Sequence, residues 1–115
     1  MNERTYQAQI IKEIQSANGL VLNKWGNVRE GSGWPDLYVP SRIWHGWLEL
    51  KVGKNKCSAI QKIVIRQLVE REVNVHVLRW KDGVETFEDE DGEVLQVRRS
   101  EGGKWLLLEL NRLDE

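Results

Sequence analysis

The sequence predicts an α/β fold in which a mixed β-sheet is flanked by helices. Two segments have helical character, residues 4–17 and the segment that follows Ser58, and they alternate with segments of strand character. The elements therefore follow the order α-β-β-β-α-β, with further strands expected after residue 80. The chain has 115 residues, of which 40% are apolar and 30% charged, as expected for one globular domain spanning residues 1–115.

The first predicted element is a helix over residues 4–17. Its apolar side chains recur at near-helical spacing, at Tyr6, Ile10, Ile14 and Ala17. The Asn-Gly pair at 18–19 ends this helix, because glycine suits the position that follows a helix. A short strand at 20–25 and a glycine-rich loop at 26–35 are expected next.

Two strands at the centre of the chain are predicted at 36–39 and about 44–51. A second helix begins after Ser58, which is its expected N-cap because Gln61 three residues later completes a capping box. Residues 73–80 alternate between apolar and polar side chains, which is typical of a strand.

The last third of the chain, residues 81–115, is predicted to form an acidic β-meander. Asp-Gly and Gly-Gly turns separate its short segments of strand character, although the run LLLEL at 106–110 could instead form part of a short helix. This third has 5 basic and 11 acidic residues, whereas residues 1–80 have 12 basic and 7 acidic residues. The first two-thirds could therefore face a polyanion, with ordinary surface charge as the alternative.

Composition also bears on the cellular compartment. The chain has no apolar run long enough to span a bilayer, and its first ten residues, MNERTYQAQI, have no apolar core of the signal-peptide type. One cysteine, Cys57, excludes an internal disulfide bond and fits a reducing compartment. The expected location is the cytoplasm, with no membrane partner.

Three charged residues, Asp36, Glu49 and Lys51, stand in the two central strands, which are otherwise mainly apolar and aromatic. A hairpin centred between Arg42 and Ile43 places Asp36 opposite Glu49. Side chains alternate along a strand, so Lys51 shares their face. Tyr38 and Trp47 also share this face and are expected to wall the site, whereas the opposite face is the natural core face and carries Leu37, Val39, Leu48 and Leu50.

Two carboxylates that face each other across a strand pair repel, so stability does not explain Asp36 and Glu49. A Mg²⁺ or Mn²⁺ ion resolves the conflict, because hard cations bind carboxylate oxygens, and the backbone carbonyl of Leu50 could add a third ligand. Lys51 could then hold an attacking water or stabilise charge on a phosphate. The predicted reaction is phosphodiester hydrolysis. The alternative is structural, since Asp after Pro is common in turns and Glu-x-Lys is a common exposed pair on strands.

The pattern GWPDLYV…GWLELKVGKNKCSAIQKIVIRQL…VNVHVLRW, within residues 3–80, resembles the PD-(D/E)xK nuclease superfamily. More narrowly it resembles the virus-type replication-repair nuclease (VRR-Nuc) domain. The resemblance implies a restriction-endonuclease-like core, followed here by a C-terminal β-rich extension at 81–115 that matches no part of the family pattern.

The resemblance also implies roles for single residues. Asp36 and Glu49 would bind Mg²⁺ or Mn²⁺, Lys51 would serve the attacking water, and Gln61 would belong to the site. The family carries an acidic residue on its first helix, for which Glu3 is the best match and Glu13 the other candidate.

The function that the resemblance implies is a metal-dependent endonuclease. It would act as a homodimer on branched DNA, either a Holliday junction or a flap, in phage or bacterial replication or repair. The side chains expected to contact DNA are those of Lys24, Arg29, Lys54, Lys56 and Lys62, and such contacts position the DNA backbone without reading its sequence. The alternative is a non-catalytic nucleic-acid-binding module with a nuclease-like fold.

Tryptophan is frequent in this chain, with six residues in 115. Trp34, Trp44 and Trp47 lie on or beside the predicted hairpin. An exposed tryptophan there could stack on bases at a DNA junction. A place in the core or an interface is the more usual role for a tryptophan.

Overall fold

A computed structural model of the protein describes residues 1–23, 33–98 and 103–115. The described residues form a six-stranded mixed sheet and three helices, which confirms the predicted α/β class. The elements are α1 (Glu3–Ser16), β1 (Leu22–Asn23), β2 (Leu37–Pro40), β3 (His45–Val52), α2 (Ala59–Glu70), β4 (Val75–Lys81), β5 (Val84–Glu88), β6 (Val94–Val97) and α3 (Gly103–Leu113). Within the described ranges, no helix is long and apolar enough to cross a membrane.

The strands lie in the sheet in the order in which they occur along the chain. Strands β3 and β4 are parallel and are connected through α2, whereas every other neighbouring pair is antiparallel. The hairpin of β2 and β3 has the predicted register, since Leu37 pairs with Leu48 and Tyr38 with Trp47. The predicted alternation of faces along this hairpin is therefore confirmed.

The hydrophobic core lies on one face of the sheet, beneath α1 and α3. The sheet contributes the apolar residues predicted for the core face, Leu37, Val39, Leu48 and Leu50, each at most 2% exposed. Helix α1 contributes Tyr6, Ile10 and Ile14, which confirms three of the four positions of its predicted apolar stripe. The opposite face of β3 carries Glu49 and Lys51, and α2 lies against it.

The C-terminal third departs from the predicted β-meander. Strands β5 and β6 confirm its first part, but residues from Gly103 to Leu113 are helical, so the prediction of β structure throughout 81–115 is wrong there. The alternative that LLLEL belongs to a helix is confirmed. The physical reason is packing, because Leu106, Leu107 and Leu110 form one helical stripe that is buried in the core beside α1.

The C-terminal end of the chain is fixed to the sheet by Asp114. Its Oδ1 lies 2.9 Å from Nε2 of His76 on β4, and its Oδ2 accepts a 2.6 Å hydrogen bond from Nε1 of Trp44. Trp44 is 2% and His76 6% exposed, so both partners belong to the interior.

Candidate metal centre

The β2–β3 hairpin brings Asp36 and Glu49 together, as the register predicted. Asp36 immediately precedes β2, and its Oδ2 accepts a 2.9 Å hydrogen bond from the backbone N–H of Leu50. The N–H and C=O of one residue in an antiparallel strand face the same neighbouring strand, so the Leu50 carbonyl lies on the same edge of β3 as Asp36. The three expected oxygen donors thus lie around the point where β2 begins.

The carboxylate of Glu49 is almost completely buried, with 1% of the residue exposed. Its Oε2 accepts a 2.8 Å hydrogen bond from Nε2 of Gln61 and lies 3.2 Å from Nζ of Lys51. Its Oε1 is buried without a hydrogen-bond partner among the described residues. A buried carboxylate oxygen that accepts no hydrogen bond lowers the stability of the fold, because it has lost its hydration without replacement. A bound cation would supply the missing interaction.

The raised pKa of Glu49 also indicates that its carboxylate has too little positive charge beside it. Burial and, after it, the negative charge of Asp36 together raise the pKa of Glu49 from 4.5 to about 8, against the opposing effect of Lys51. A further positive charge beside the two carboxylates would stabilise the ionised form of Glu49 against both burial and the repulsion from Asp36. The donor set therefore fits a hard divalent cation.

Lys51 is held beside Glu49 by two partners. Its ammonium group makes the ion pair with Glu49 and donates a 3.0 Å hydrogen bond to Oε1 of Gln61. The residue is only 7% exposed, so its orientation is fixed by these contacts rather than by solvent.

Gln61 joins the site to the N-terminus of α2. The predicted capping box is present: Oγ of Ser58 accepts a 3.1 Å bond from the N–H of Gln61, and Oε1 of Gln61 accepts a 2.8 Å bond from the N–H of Ser58. The same side chain contacts both Glu49 and Lys51. One side chain therefore caps α2 and contacts both charged residues of β3.

The first helix does not extend the carboxylate pair. Glu3 lies exposed in the first turn of α1, and within the described parts of the chain no three His, Cys, Asp or Glu side chains cluster as a metal site. Glu3 is thus not brought to Asp36 and Glu49. Glu13, the other candidate, binds Arg98 through a 2.8 Å contact between Oε1 and Nη2. Arg98 belongs to a separate buried ion-pair network.

The basic residues expected to contact DNA are in different situations. Lys54 and Lys56 are exposed in the loop that follows β3, and they line a cavity of about 760 Å³. Lys62 lies on α2, where its ammonium group is 3.6 Å from Oδ1 of Asp91, so it already has an acidic partner. Lys24 and Arg29 lie outside the described residues.

The sequence interpretation missed Arg79, which positions the loop beside the site. Arg79 pairs in register with Lys51 across the parallel strands, and its Nη1 donates to the carbonyls of Gly53 at 2.7 Å and Asn55 at 2.6 Å. Its Nε binds both carboxylate oxygens of Glu88, at 2.8 and 3.0 Å. The sequence feature that could have indicated its role is the alternation in β4, where Arg79 follows Val75 and Val77 on one face.

Aromatic rings continue the site along the hairpin. The ring centroids of Trp34 and Trp47 are 5.4 Å apart, and those of Trp47 and Tyr38 are 5.0 Å apart. The Tyr38 hydroxyl is hydrogen-bonded to Nε2 of His45. Trp47 and Tyr38 lie on the face that carries Glu49, as predicted.

No protein-family model matches this chain, and no curated protein matches it. The arrangement of Asp36, Glu49 and Lys51 is therefore the main guide to the function of this protein.

Proposed function

We propose that this protein is a divalent-metal-dependent endonuclease that hydrolyses phosphodiester bonds in branched DNA. The observation that carries the proposal is the buried carboxylate of Glu49, which faces Asp36 and Lys51 and has an oxygen without a hydrogen-bond partner among the described residues. The resemblance to the PD-(D/E)xK superfamily supports the same conclusion, with a restriction-endonuclease-like core of the VRR-Nuc type as its structural counterpart.

The residues that would hold Mg²⁺ or Mn²⁺ are Asp36, Glu49 and the backbone carbonyl of Leu50. Two carboxylates and one carbonyl suit these hard cations and leave coordination positions for water and a phosphate oxygen. When bound, such an ion supplies positive charge that polarises the scissile phosphate and lowers the pKa of a water molecule.

Lys51 would act directly at the reacting phosphate. A buried ammonium group of fixed orientation can orient the attacking water and stabilise negative charge that develops on the phosphate oxygens. Gln61 would be a positioning residue, because it touches Glu49 and Lys51 at once.

DNA would be held mainly through its phosphates. Lys54 and Lys56 are exposed beside the catalytic strand, and the sequence places Lys24 and Arg29 in the segment that leads to Asp36. Lys62 would join them after exchanging Asp91 for a phosphate. Contacts of this kind give affinity without base specificity, so DNA shape would decide which substrate is cut. We further propose action as a homodimer in phage or bacterial replication or repair.

The second candidate is a nucleic-acid-binding module that keeps the fold without catalysis. Its specific support is the pairing of Glu49 with Lys51 at 3.2 Å, since an ion pair is a sufficient structural partner for each charge. The two candidates differ in whether DNA is cut.

The deciding experiment is cleavage of labelled four-way junction, 5′-flap and duplex DNA in Mg²⁺, Mn²⁺ or EDTA. Asp36→Asn, Glu49→Gln and Lys51→Ala are compared with wild type, and Lys12→Ala, an exposed lysine of α1, is the control. We expect metal-dependent cutting of branched DNA that the three site variants lose and the control keeps. Cutting that survives in Asp36→Asn would contradict the proposal. Binding of DNA without cutting under any condition would favour the second candidate.

A further inference from the structure

Four aromatic side chains form a continuous row on the hairpin, which we call the aromatic row: Trp34, Trp47, Tyr38 and His45. Successive ring centroids are 5.4, 5.0 and 5.0 Å apart, with interplanar angles of 53°, 44° and 66°. Successive rings are in contact, but the two rings of each successive pair are not parallel. They thus present tilted faces and edges rather than one flat stack.

The aromatic row starts beside the carboxylate pair. Trp34 precedes Asp36 by two residues, and Trp47 precedes Glu49 by two residues on the same face of β3. Two residues of an antiparallel strand span about 6.8 Å. A nucleotide whose phosphate lies at Asp36 and Glu49 therefore has aromatic rings within reach of the neighbouring base.

The aromatic row is accessible, in contrast to the tryptophan that serves the core. Trp34 is 37% exposed and Trp44 only 2%. Tyr38 and Trp47 are partly exposed, and His45 is exposed at the far end.

The backbone fixes the place of Trp34 against α2. Gly33 has a φ of +83°, and a Cβ at this position would lie 2.4 Å from Cγ2 of Ile60. Only glycine permits this close approach together with the left-handed conformation. The backbone just before Trp34 therefore packs against α2, which places Trp34 at the edge of the site.

We propose that the aromatic row is a stacking subsite for unpaired bases of the DNA strand that is cut. Aromatic rings bind bases through their faces, and this contact is open to unpaired bases, whereas those of a duplex are already stacked on one another. The inference rests on the proposed nuclease function and narrows its substrate. The cut phosphodiester would lie at the border of single-stranded and double-stranded DNA, so a flap would be preferred over a fully paired four-way junction.

The test is DNA binding measured by fluorescence anisotropy in EDTA, so that the readout does not depend on cutting. The probes are a labelled single strand, the same strand with abasic positions, and the corresponding duplex. Trp34→Ala removes the first ring of the row and Trp34→Phe retains an aromatic face. Trp105→Ala is the matched control, since Trp105 is 58% exposed on α3, which packs on the opposite face of the sheet.

We expect Trp34→Ala to weaken single-strand binding roughly tenfold, in line with the measured value of one base–aromatic stack. Binding of the abasic strand and the duplex should change less than about twofold, Trp34→Phe should retain most of the affinity, and the control should bind as wild type. Unchanged single-strand binding, or an equal loss for strand and duplex, would overturn the inference.

Two further outcomes separate this inference from the proposed function. Metal-dependent cutting with no role for Trp34 in strand binding would reject the subsite alone. If the protein binds the single strand selectively and through Trp34 but cuts no DNA with any metal, the proposed nuclease function alone would be rejected. Light scattering that shows a dimer dissociated by Trp34→Ala would make the aromatic row a contact between copies of the chain and overturn the subsite.

Discussion

The side-chain amide of Gln61 donates a 2.8 Å hydrogen bond to the buried carboxylate of Glu49. The opposite atom of that amide, Oε1, accepts hydrogen bonds from the backbone of Ser58 and from Lys51. The N-terminal cap of α2 and the candidate metal centre thus share one side chain. Formation of the helix cap orients the two charged residues of β3 at the same time.

Variants at the cap separate these two roles. Gln61→Ala and Ser58→Ala each remove half of the capping box, so Ser58→Ala should lower the free energy of unfolding by about 1 kcal/mol and Gln61→Ala by at least as much. Only Gln61→Ala also removes the contacts to Glu49 and Lys51. It should therefore reduce DNA cutting roughly 10- to 100-fold, as is common for residues that orient metal ligands. Equal cutting rates for the two variants would show that Gln61 serves the helix alone.

The stability of the metal-free protein should depend on pH through Glu49. Its pKa is raised from 4.5 to about 8 by burial and by Asp36, so the folded state binds more protons than the unfolded state between these values. The free energy of unfolding should therefore fall as the pH rises from about 4.5 and level off above about 8.

Urea unfolding between pH 5 and 9, with EDTA present, measures this dependence. The variant Glu49→Gln has no charge to bury, so its free energy of unfolding should change little with pH. Saturating Mg²⁺ should flatten the pH dependence of the wild type in the same way above pH 7. The exposed control Glu93→Gln should keep the wild-type slope. A wild-type slope in Glu49→Gln would show that another group is responsible.

The ion pair of Arg79 and Glu88 should be costly to break from one side. Glu88 is 3% exposed, and Arg79→Ala would leave its carboxylate buried without the guanidinium, at a cost of about 3 to 5 kcal/mol in unfolding free energy. The double variant Arg79→Leu with Glu88→Leu should lose less unfolding free energy than Arg79→Ala, because it leaves no unpaired charge of this ion pair buried. Denaturant titration of both variants measures the difference, and an equal cost would argue against this account.

The contact of Asp114 with His76 and Trp44 should make the C-terminus part of the folded core. Burial raises the pKa of Asp114, but the hydrogen bonds from both partners outweigh burial and hold it below 3.8. Asp114→Ala would leave the buried groups of His76 and Trp44 without this acceptor and should cost about 1 to 3 kcal/mol. Its exposed neighbour is the control, so Glu115→Ala should unfold at the wild-type temperature. If Glu115→Ala unfolded at a lower temperature than Asp114→Ala, Asp114 would not be the residue that ties the end of α3 to the core.

Much of the candidate site was predictable because its signals are local. Asp36, Glu49 and Lys51 interrupt strands that are otherwise mainly apolar and aromatic. Strand alternation places Glu49 and Lys51 on one face, and the hairpin register adds Asp36 to it. The capping box of Ser58 and Gln61 needs only four consecutive residues. The register of the hairpin was assumed from a centre between Arg42 and Ile43, and the structure has that register; a slip by one residue would have moved the apolar residues off the core face.

The remaining features depend on contacts between distant segments. The leucine run of α3 reads equally well as strand or helix, and only its packing beside α1 decides between them. The pairing of Lys62 with Asp91 requires the β5–β6 turn to lie on α2, which no local pattern indicates. The same holds for Arg79, whose partners are a loop and a neighbouring strand.

The most direct test of the central claim is a calorimetric titration of Mg²⁺ or Mn²⁺ into the protein at pH 8. We predict one saturable site per chain that is lost in both Asp36→Asn and Glu49→Gln and kept in Glu93→Gln. Absence of saturable binding to the wild type, or equal binding to Glu49→Gln, would contradict the proposal that Asp36 and the buried Glu49 form a metal centre.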